Sequence, residues 1–509
     1  MNTNKVITKY LAKYAEELSP WMADFPSQCQ FERCVIIPAF DEPLTFTDHF
    51  RANTPSDTLI ILVLNCAKDC LPSQRQDTLQ AKNHLLDHGE VIWQSSQECS
   101  QECSQESPPA ETLQLVTTPA PATVSESART QHWLIWDITQ WQQDDSQEEA
   151  ITNRRQIPTF KHGVGYARKL GMDCALQLFH HQQITNPFFL TTDADAHLPN
   201  DYFLQPNLPY LDDDVAGYIF PFRHQASDKH ENPAKQTTNP AASLPGQLYE
   251  ISLRYYVLGL RWANSPWGFH SVGSTLAIHG AHYAANRGFP KREAGEDFYL
   301  LNKIAKTGAI VSLKAPTIYL SDRPSHRVPF GTGPAIQRIQ SLESIADHFT
   351  LYHPEIFQWL KHWQSVIPKL YDQPLETALN NVILHAINGD ERSENIHTNI
   401  LDILRRLRIE NAISHSRKQS KSINEFCRHM FTWFDAFKTL KFIHYARDHY
   451  LPSLPTNQWI EWTENNHIPF LVHPEERLLE GDLTSKIQQL SSLILEIEQH
   501  TLPHVSAPS

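Results

Sequence analysis

No stretch of this sequence is apolar for long enough to cross a bilayer; the densest run, residues 59–64, is only the length of a strand. Positive charge is also short. Lysine and arginine number 43 against 57 aspartates and glutamates, a formal net charge of −14, which argues against broad binding to nucleic acid or to an anionic membrane. The eight cysteines (Cys29, Cys34, Cys66, Cys70, Cys99, Cys103, Cys174, Cys427) contain no C-x-x-C pair, so free thiols are expected rather than disulfides. None of the 27 histidines falls in an H-E-x-x-H pattern. Residues 1–14 alternate lysines with apolar residues and lack the core of a signal peptide. Together these absences point to a cytoplasmic protein with no integral membrane segment and no nucleic-acid partner.

What is present suits a globular chain. Its 509 residues are 40% hydrophobic and 20% charged, enough for two to four domains with sizeable cores. Residues 1–18 read as a short amphipathic helix. Strands are expected at 34–40 and 59–64 with a helix at 46–53 between them, a β-α-β start that implies parallel pairing. A helix at 76–88, capped by Gly89, leads to a short strand at 91–93. Residues 94–131 break this pattern. Ser-Gln-Glu-Cys recurs from Ser96 and a Pro/Thr/Ala/Ser stretch follows, so this segment reads as a low-complexity insertion, as does 226–246. Further strands are expected at 132–137, 187–191, 215–220, 274–278, 310–313 and 318–320, with helices from Gly163 to Phe179, at 248–262 and at 298–306. From Pro334 onward helical periodicity takes over (335–349, 375–388, 395–413, 423–445, 484–498). The expected organisation is an N-terminal helical extension (1–32), an α/β domain (33–333) and an all-helical C-terminal domain (334–509).

Four motifs carry chemistry. The short apolar run before Thr191-Thr192-Asp193-Ala194-Asp195 reads as a buried strand, so two carboxylates emerge where that strand ends. In an open α/β sheet ligands bind at the carboxyl ends of the strands. Two aspartates there make a hard oxygen site suited to Mg²⁺ or Mn²⁺ carrying a phosphate group. Asp212-Asp213-Asp214 also satisfies D-x-D, but it precedes a strand and reads as a turn. Gly163-x-Gly165 opens a helix, with Lys161, Arg168 and Lys169 beside it; exposed N–H groups there attract anions. The third glycine of a dinucleotide fingerprint is missing. Gly295-Glu296-Asp297 leads another helix, where carboxylates favour the dipole or serve as a general base for a hydroxyl. The stretch from Ser321 to Arg327 places Arg323, His326 and Arg327 in a polar loop leaving a strand, where they can contact diphosphate or complete a metal shell. Trp262 and Trp267 precede His270 in a segment read as an acceptor loop.

The order of Pro38-Ala39-Phe40-Asp41-Glu42, the helix entered through Gly163, Asp193-x-Asp195 and Gly295-Glu296-Asp297 resembles that of the family 2 glycosyltransferases of the GT-A fold, over residues 33–333. The resemblance implies a Rossmann-like, mostly parallel sheet and transfer of a sugar from a UDP- or GDP-linked donor to a hydroxyl acceptor with inversion. It assigns Pro38, Phe40 and Glu42 to the base and ribose pocket, with Asp41 standing where asparagine is usual. It gives Asp193 to the ribose or metal, Asp195 to Mn²⁺ or Mg²⁺, Asp297 with its neighbour Glu296 to catalysis, and His326 to a third metal ligand. Lys161, Gly163 and Arg168 join the nucleotide-sugar site on the glycine-led helix start and its basic cluster rather than on the resemblance. Asn65 stands where the family grips the base with aspartate. Two other readings compete. A sugar-phosphate nucleotidyltransferase would carry a glycine-rich loop with a lysine after the first strand, and Phe40-Asp41-Glu42-Pro43 is not one. A catalytically silent scaffold of the same fold would bind a protein through the helical C-terminal region and show no metal-dependent nucleotide binding.

Overall fold

Two runs, Cys-Val-Ile-Ile-Pro-Ala and Leu-Ile-Ile-Leu-Val-Leu, show no polar alternation, the pattern of strands buried on both faces. In the computed structural model they form the centre of a ten-stranded sheet. The structure describes residues 3–16, 22–66, 70–95, 112–119, 130–139, 163–203, 214–226, 242–325, 327–374, 391–465, 467–471 and 479–507. In chain order the first part runs α1 (Thr3–Lys13), β1 (Arg33–Ala39), α2 (Thr45–Asn53), β2 (Thr58–Leu64), α3 (Pro72–Asp87), β3 (Glu90–Gln94), β4 (Thr112–Pro119), β5 (Thr130–Asp137) and α4 (Val164–His180). It continues with β6 (Phe188–Thr191), β7 (Val215–Ile219), β8 (Phe222–Gln225), α5 (Leu244–Trp262), β9 (Leu276–His279), α6 (Gly280–Ala285), α7 (Glu296–Ile304), β10 (Ala309–Ser312) and β11 (Ile318–Ser321). The later part comprises α8 (Thr332–Gln340), α9 (Ile345–His348), β12 (Thr350–Leu351), α10 (Glu355–Val366), α11 (Glu391–Arg406), α12 (Ile409–Gln419), α13 (Ile423–Trp433), α14 (Ala436–His449), β13 (Leu454–Pro455), α15 (Thr456–Glu464), α16 (Leu483–His500) and β14 (His504–Ser506).

The sheet order is β14-β10-β7-β9-β6-β1-β2-β5-β4-β3. The expected parallel pairing of β1 and β2 is present, with Cys34 opposite Leu59 and Ala39 opposite Leu64. Strands β6 and β5 flank this pair, also in parallel. Only β4, β9 and β14 run the other way, so the sheet is mixed but mostly codirectional. Alternate side chains of β1 and β2 face opposite cores: Ile36, Ile61 and Val63 meet α4, and Ile37, Ile60 and Leu62 meet α2. The helices thus cover both faces, as this strand pattern requires.

Several elements differ from the sequence reading. The segment 94–131 contains β4, an eight-residue strand paired antiparallel to both β3 and β5. Its Leu113, Leu115 and Val116 are fully buried, an apolar signal masked by the low-complexity residues around it. Strand β8, unforeseen, pairs in parallel with β11 and carries the chain toward the sheet's rim. The helix expected at 423–445 breaks at Asp435, whose carboxylate caps α14 by accepting from the Lys438 N–H. The helix expected at 395–413 breaks at Arg408, which adopts a left-handed conformation (φ 63°). The position drawn between domains, 333/334, falls inside the first turn of α8, where proline is tolerated. The expected helix at 375–388 and the Ser-Gln-Glu-Cys repeat lie outside the described residues.

The helical part is joined to the sheet along α5. Leu248, Ile251, Tyr255 and Leu258 of that helix share one apolar core with Phe357, Trp363, Trp459 and Leu490. The joint also has a buried ionic centre. Arg254 on α5 pairs with Glu250 (2.9 Å) and with Glu498 of α16, which in turn accepts from His270 Nε2 at 2.6 Å. Glu250 accepts from the His224 backbone N–H at 2.7 Å. These arginine contacts outweigh the cost of burial and hold both carboxyls below their usual range, Glu250 at about 2. Strand β14 then adds to the sheet beside β10.

Candidate active site

Strands β1, β2 and β6 point the same way, so the segments leaving them share one rim. Val35 lies opposite Leu190, and the Thr192 N–H donates to the Ile36 carbonyl at 3.1 Å. That register carries Asp193 and Asp195 past the end of β6 and alongside the end of β1. Ala194 and Ala196 turn inward and are buried, while the Asp193 and Asp195 side chains stay 37% and 28% exposed. Asn65 closes the row: its N–H donates to the Ala39 carbonyl at 3.2 Å. After β1 the chain turns sharply through Asp41 (φ 53°), a left-handed conformation that aspartate tolerates better than most residues. Thr78 Oγ1 accepts from the Asp41 N–H (2.9 Å) and Gln74 donates to its carboxylate (3.0 Å). The turn sends the Glu42 side chain back onto the rim.

Arg168 links two of the acidic groups. It sits in the first turns of α4, 5% exposed, and its guanidinium binds Asp193 with one nitrogen and Glu296 with another. The second oxygen of Asp193 accepts from the Ser274 hydroxyl. A Cβ on Gly273 would stand 2.6 Å from the Arg168 guanidinium carbon, so glycine is what lets the arginine lie there. On α7, Gly295 holds a left-handed conformation (φ 71°), and the Phe298 N–H donates to Asp297 Oδ1 at 2.6 Å. Burial, and then the neighbouring Glu296, push the Asp297 carboxyl up to about 7; Arg168 and the Phe298 N–H oppose the shift, and Asp193 adds to it. Such a group is divided between acid and base near neutral pH.

The loop after β11 supplies a second pair of cations. Arg323 Nε lies 3.1 Å from Asp195 Oδ2 and its Nη2 lies 2.9 Å from the same oxygen, while that Nη2 also binds Glu42. Arg327 binds the other oxygen of Glu42, donates to the Phe40 carbonyl at 2.8 Å, and stands 3.6 Å from Asp195. Despite two arginines, burial and the adjacent Asp195 push Glu42 up to about 7. The loop is tied down at both ends. Asp322 accepts from the Ser243 N–H at 2.6 Å, and Gly333 packs against Ser325 so closely that a Cβ there would lie 2.5 Å away.

Of the residues singled out from the sequence, the structure brings Glu42, Asn65, Arg168, Asp193, Asp195, Glu296 and Asp297 to this rim, with buried Pro38 and half-buried Phe40 beneath and beside it. Lys161 and His326 lie outside the described residues. Gly163 differs from its phosphate-loop reading. A Cβ on it would meet the Glu293 Cα at 2.5 Å, one on Gly165 would meet the Arg292 carbonyl at 2.6 Å, and the Gly165 N–H already donates to that carbonyl. Both glycines are explained by the close approach of the segment preceding α7. Lys169 is likewise turned away, its ammonium bound to Asp173 (2.8 Å) and Tyr10 (2.7 Å), tying α1 to α4. Trp267 is buried with its indole N–H on the Phe434 carbonyl, and Trp262 packs in the helical core under Lys361. Neither lines the rim. Sequence reasoning missed Phe330, 57% exposed, whose ring lies over Gly295. Its only sequence signal is an aromatic residue inside Pro-Phe-Gly-Thr-Gly, a stretch too flexible in composition to hold a core residue.

Among the described residues no three His, Cys, Asp or Glu side chains converge as a self-sufficient metal site. The Asp193 and Asp195 carboxylates are hard oxygen donors, but both oxygens of Asp193 are held by Arg168 and Ser274 and Oδ2 of Asp195 by Arg323, so a divalent ion would have to share or displace these contacts. No protein-family model matches the chain, and no curated protein does. Among solved structures, two of S. aureus TarS residues 1–349 match at 13% sequence identity, one of them in complex with UDP-GlcNAc. Each match covers 79% of this chain and 90% of the other, with TM-scores of 0.29 and 0.30, a likeness too slight to carry an argument about function.

Proposed function

We propose that the protein is a metal-dependent glycosyltransferase that moves a sugar from a nucleoside-diphosphate donor to a hydroxyl acceptor, with inversion, on a family 2-like GT-A scaffold. The observation that carries this reading is the shared rim: Asp193 and Asp195 leave β6 beside the end of β1, and Arg168 joins Asp193 to the pair Glu296–Asp297. Asp195, with Asp193, would hold Mn²⁺ or Mg²⁺, which when bound neutralises charge on the departing diphosphate. Asn65 and the Phe40 segment would border the base, and Asn65 can hydrogen-bond either uracil or guanine. Asp297 is the group suited to take the acceptor's proton, because burial and Glu296 raise its carboxyl to about 7, where a general base is effective near neutral pH. The acceptor oxygen bonds to the anomeric carbon, the bond from that carbon to the phosphate oxygen breaks, the proton passes to Asp297, and the nucleoside diphosphate leaves with the electron pair. Arg168 binds both Asp193 and Glu296 and so fixes the two carboxylates that stand beside Asp297. Phe330 lies over the residue before Glu296 and offers a ring face to an acceptor approaching this base.

The reading is tested by thermal shift with UDP- and GDP-sugars, with and without Mn²⁺, since a ligand that binds the native state raises its melting point. A metal-dependent shift with one donor, followed by NMR assignment of an inverted product anomer, is the expected outcome. Absence of any nucleotide-dependent shift would favour the silent scaffold, and pyrophosphate release from a sugar phosphate and a nucleoside triphosphate would favour the nucleotidyltransferase.

A further inference from the structure

Arg323 and Arg327 stand four residues apart on a loop pinned at both ends, and both reach the rim carboxylates Glu42 and Asp195. Two carboxylates meet two guanidinium groups, so this half of the site is electrically balanced as it stands. A bare divalent ion approaching Asp195 meets an oxygen already carrying the Nε and Nη2 donors of Arg323, and adds two positive charges where none is called for. A nucleoside diphosphate changes that balance. Its phosphate oxygens are bidentate partners for guanidinium groups, at least as good as the carboxylates they would replace. Both arginines are only about one-fifth exposed, yet neither is sealed in: their side chains retain 19% and 22% of their surface.

We infer that Arg323 and Arg327 are exchangeable counter-ions: without donor they occupy Asp195 and Glu42 and keep a divalent cation off them, and with donor they move to its diphosphate. Cation and diphosphate therefore enter together, and the arginine pair couples their binding. This rests on the reading of the rim as a nucleoside-diphosphate site and adds to it an order of assembly. The coupling is reciprocal, as linkage requires: the diphosphate strengthens cation binding by the factor by which the cation strengthens diphosphate binding.

The test measures binding rather than turnover. Bound Mn²⁺ is followed by loss of the free-ion EPR signal, and UDP and GDP binding by calorimetry, each ligand alone and both together. The proteins are the full chain, the double variant Arg323→Gln/Arg327→Gln, and Arg323→Lys, which keeps the charge but not the planar fork. The full chain is expected to bind Mn²⁺ alone weakly and at least tenfold more tightly with diphosphate present. The double variant is expected to bind Mn²⁺ alone at least tenfold more tightly than the full chain, to bind diphosphate at least tenfold more weakly, and to lose most of the coupling. Arg323→Lys should still repel Mn²⁺. An unchanged or weakened affinity of the double variant for Mn²⁺ alone overturns the inference, as does undiminished diphosphate binding. If the double variant fails to fold, Arg323→Gln alone must shift both affinities in the same opposed directions, and the inference falls if it does not. Failure of the full chain to bind either nucleotide with Mn²⁺ present would instead remove the reading on which the inference rests.

Discussion

Two clusters of acids and arginines occupy this molecule, and they behave in opposite ways. At the joint between sheet and helices, Glu250 and Glu498 are buried against Arg254, and both carboxyls lie below their usual range. At the rim, Glu42 and Asp297 also have arginines nearby, yet both are pushed up to about 7. The contrast lies in the ratio and the company. Glu498 is ringed by Arg254, His270 and the more distant Arg261, with no carboxylate among the main influences on it. Asp297 shares a single arginine with two other carboxylates, and Glu42 lies beside Asp195. A cluster with enough cations stores stability. The Asp297 half of the rim, with three carboxylates to one arginine, is instead left poised to take up a proton, as functional sites are.

The comparison predicts opposite casualties. Asp297→Asn should lower turnover by about 10²–10⁴-fold, the usual contribution of a general base, while leaving metal-dependent nucleotide binding and the melting temperature intact or raised. Steady-state rates beside calorimetry decide this, and near-full transfer by the variant would remove the base assignment. Arg254→Met should do the reverse to the fold. It leaves Glu250 and Glu498 buried without their shared cation, a loss of about 3–5 kcal/mol. Urea denaturation would read that loss; if Arg168→Met at the rim costs as much, the two clusters do not differ in kind.

The pH dependence of stability sharpens the same contrast. Glu250, lowered to about 2 from a usual 4.5, contributes stability that is fully present above about 4.5 and is lost as the pH falls toward 2. Glu42 and Asp297, raised to about 7, contribute stability present below their unfolded values of 4.5 and 3.8 and lost as the pH rises through 7. Melting temperature should therefore fall at both ends of this range. Glu42→Gln should flatten only the decline between about pH 4.5 and 7, and Glu250→Gln only the acid limb. Both variants titrated by differential scanning calorimetry test this, and a Glu42→Gln curve that keeps its neutral decline would place that decline elsewhere.

The rim was largely legible in the sequence because an apolar run and the acids at its end are neighbours along the chain. Asp193 and Asp195 follow directly from Phe188–Thr191, and Glu42 from β1. What was not legible depends on contacts across long separations. Glycine before a helix is the same signal whether it cradles an anion or admits a neighbouring backbone, and only the fold shows Arg292 and Glu293 against Gly163 and Gly165. Arg323 and Arg327 read as able to contact diphosphate or a metal shell, but their pairing with Glu42 was not visible because it lies 281 and 285 residues earlier. The later helices were visible as periodicity, but their breaks at Arg408 and Asp435 were not, since a cap differs from a surface residue only in its backbone angles.

Aromatic residues give the last and smallest test of the division between joint and rim. Trp262 and Trp267 fall in the segment read as an acceptor loop, but they belong to the packed side of the molecule: Trp267 donates its indole N–H to the Phe434 carbonyl at 2.9 Å, and Trp262 lies under Lys361. Phe330 is the opposite case, over half exposed and resting on Gly295, two residues before Asp297. Truncating it removes a ring face worth about 0.5–1.5 kcal/mol to a stacked partner, so Phe330→Ala should raise the acceptor KM by up to about tenfold. Donor affinity and melting temperature should hardly move, because the ring is more than half exposed. Trp267→Phe should do the reverse, lowering the melting point by stranding the Phe434 carbonyl and leaving the acceptor KM alone. Should Phe330→Ala instead weaken donor binding, the ring lies over the nucleotide and the acceptor must approach Asp297 from another side.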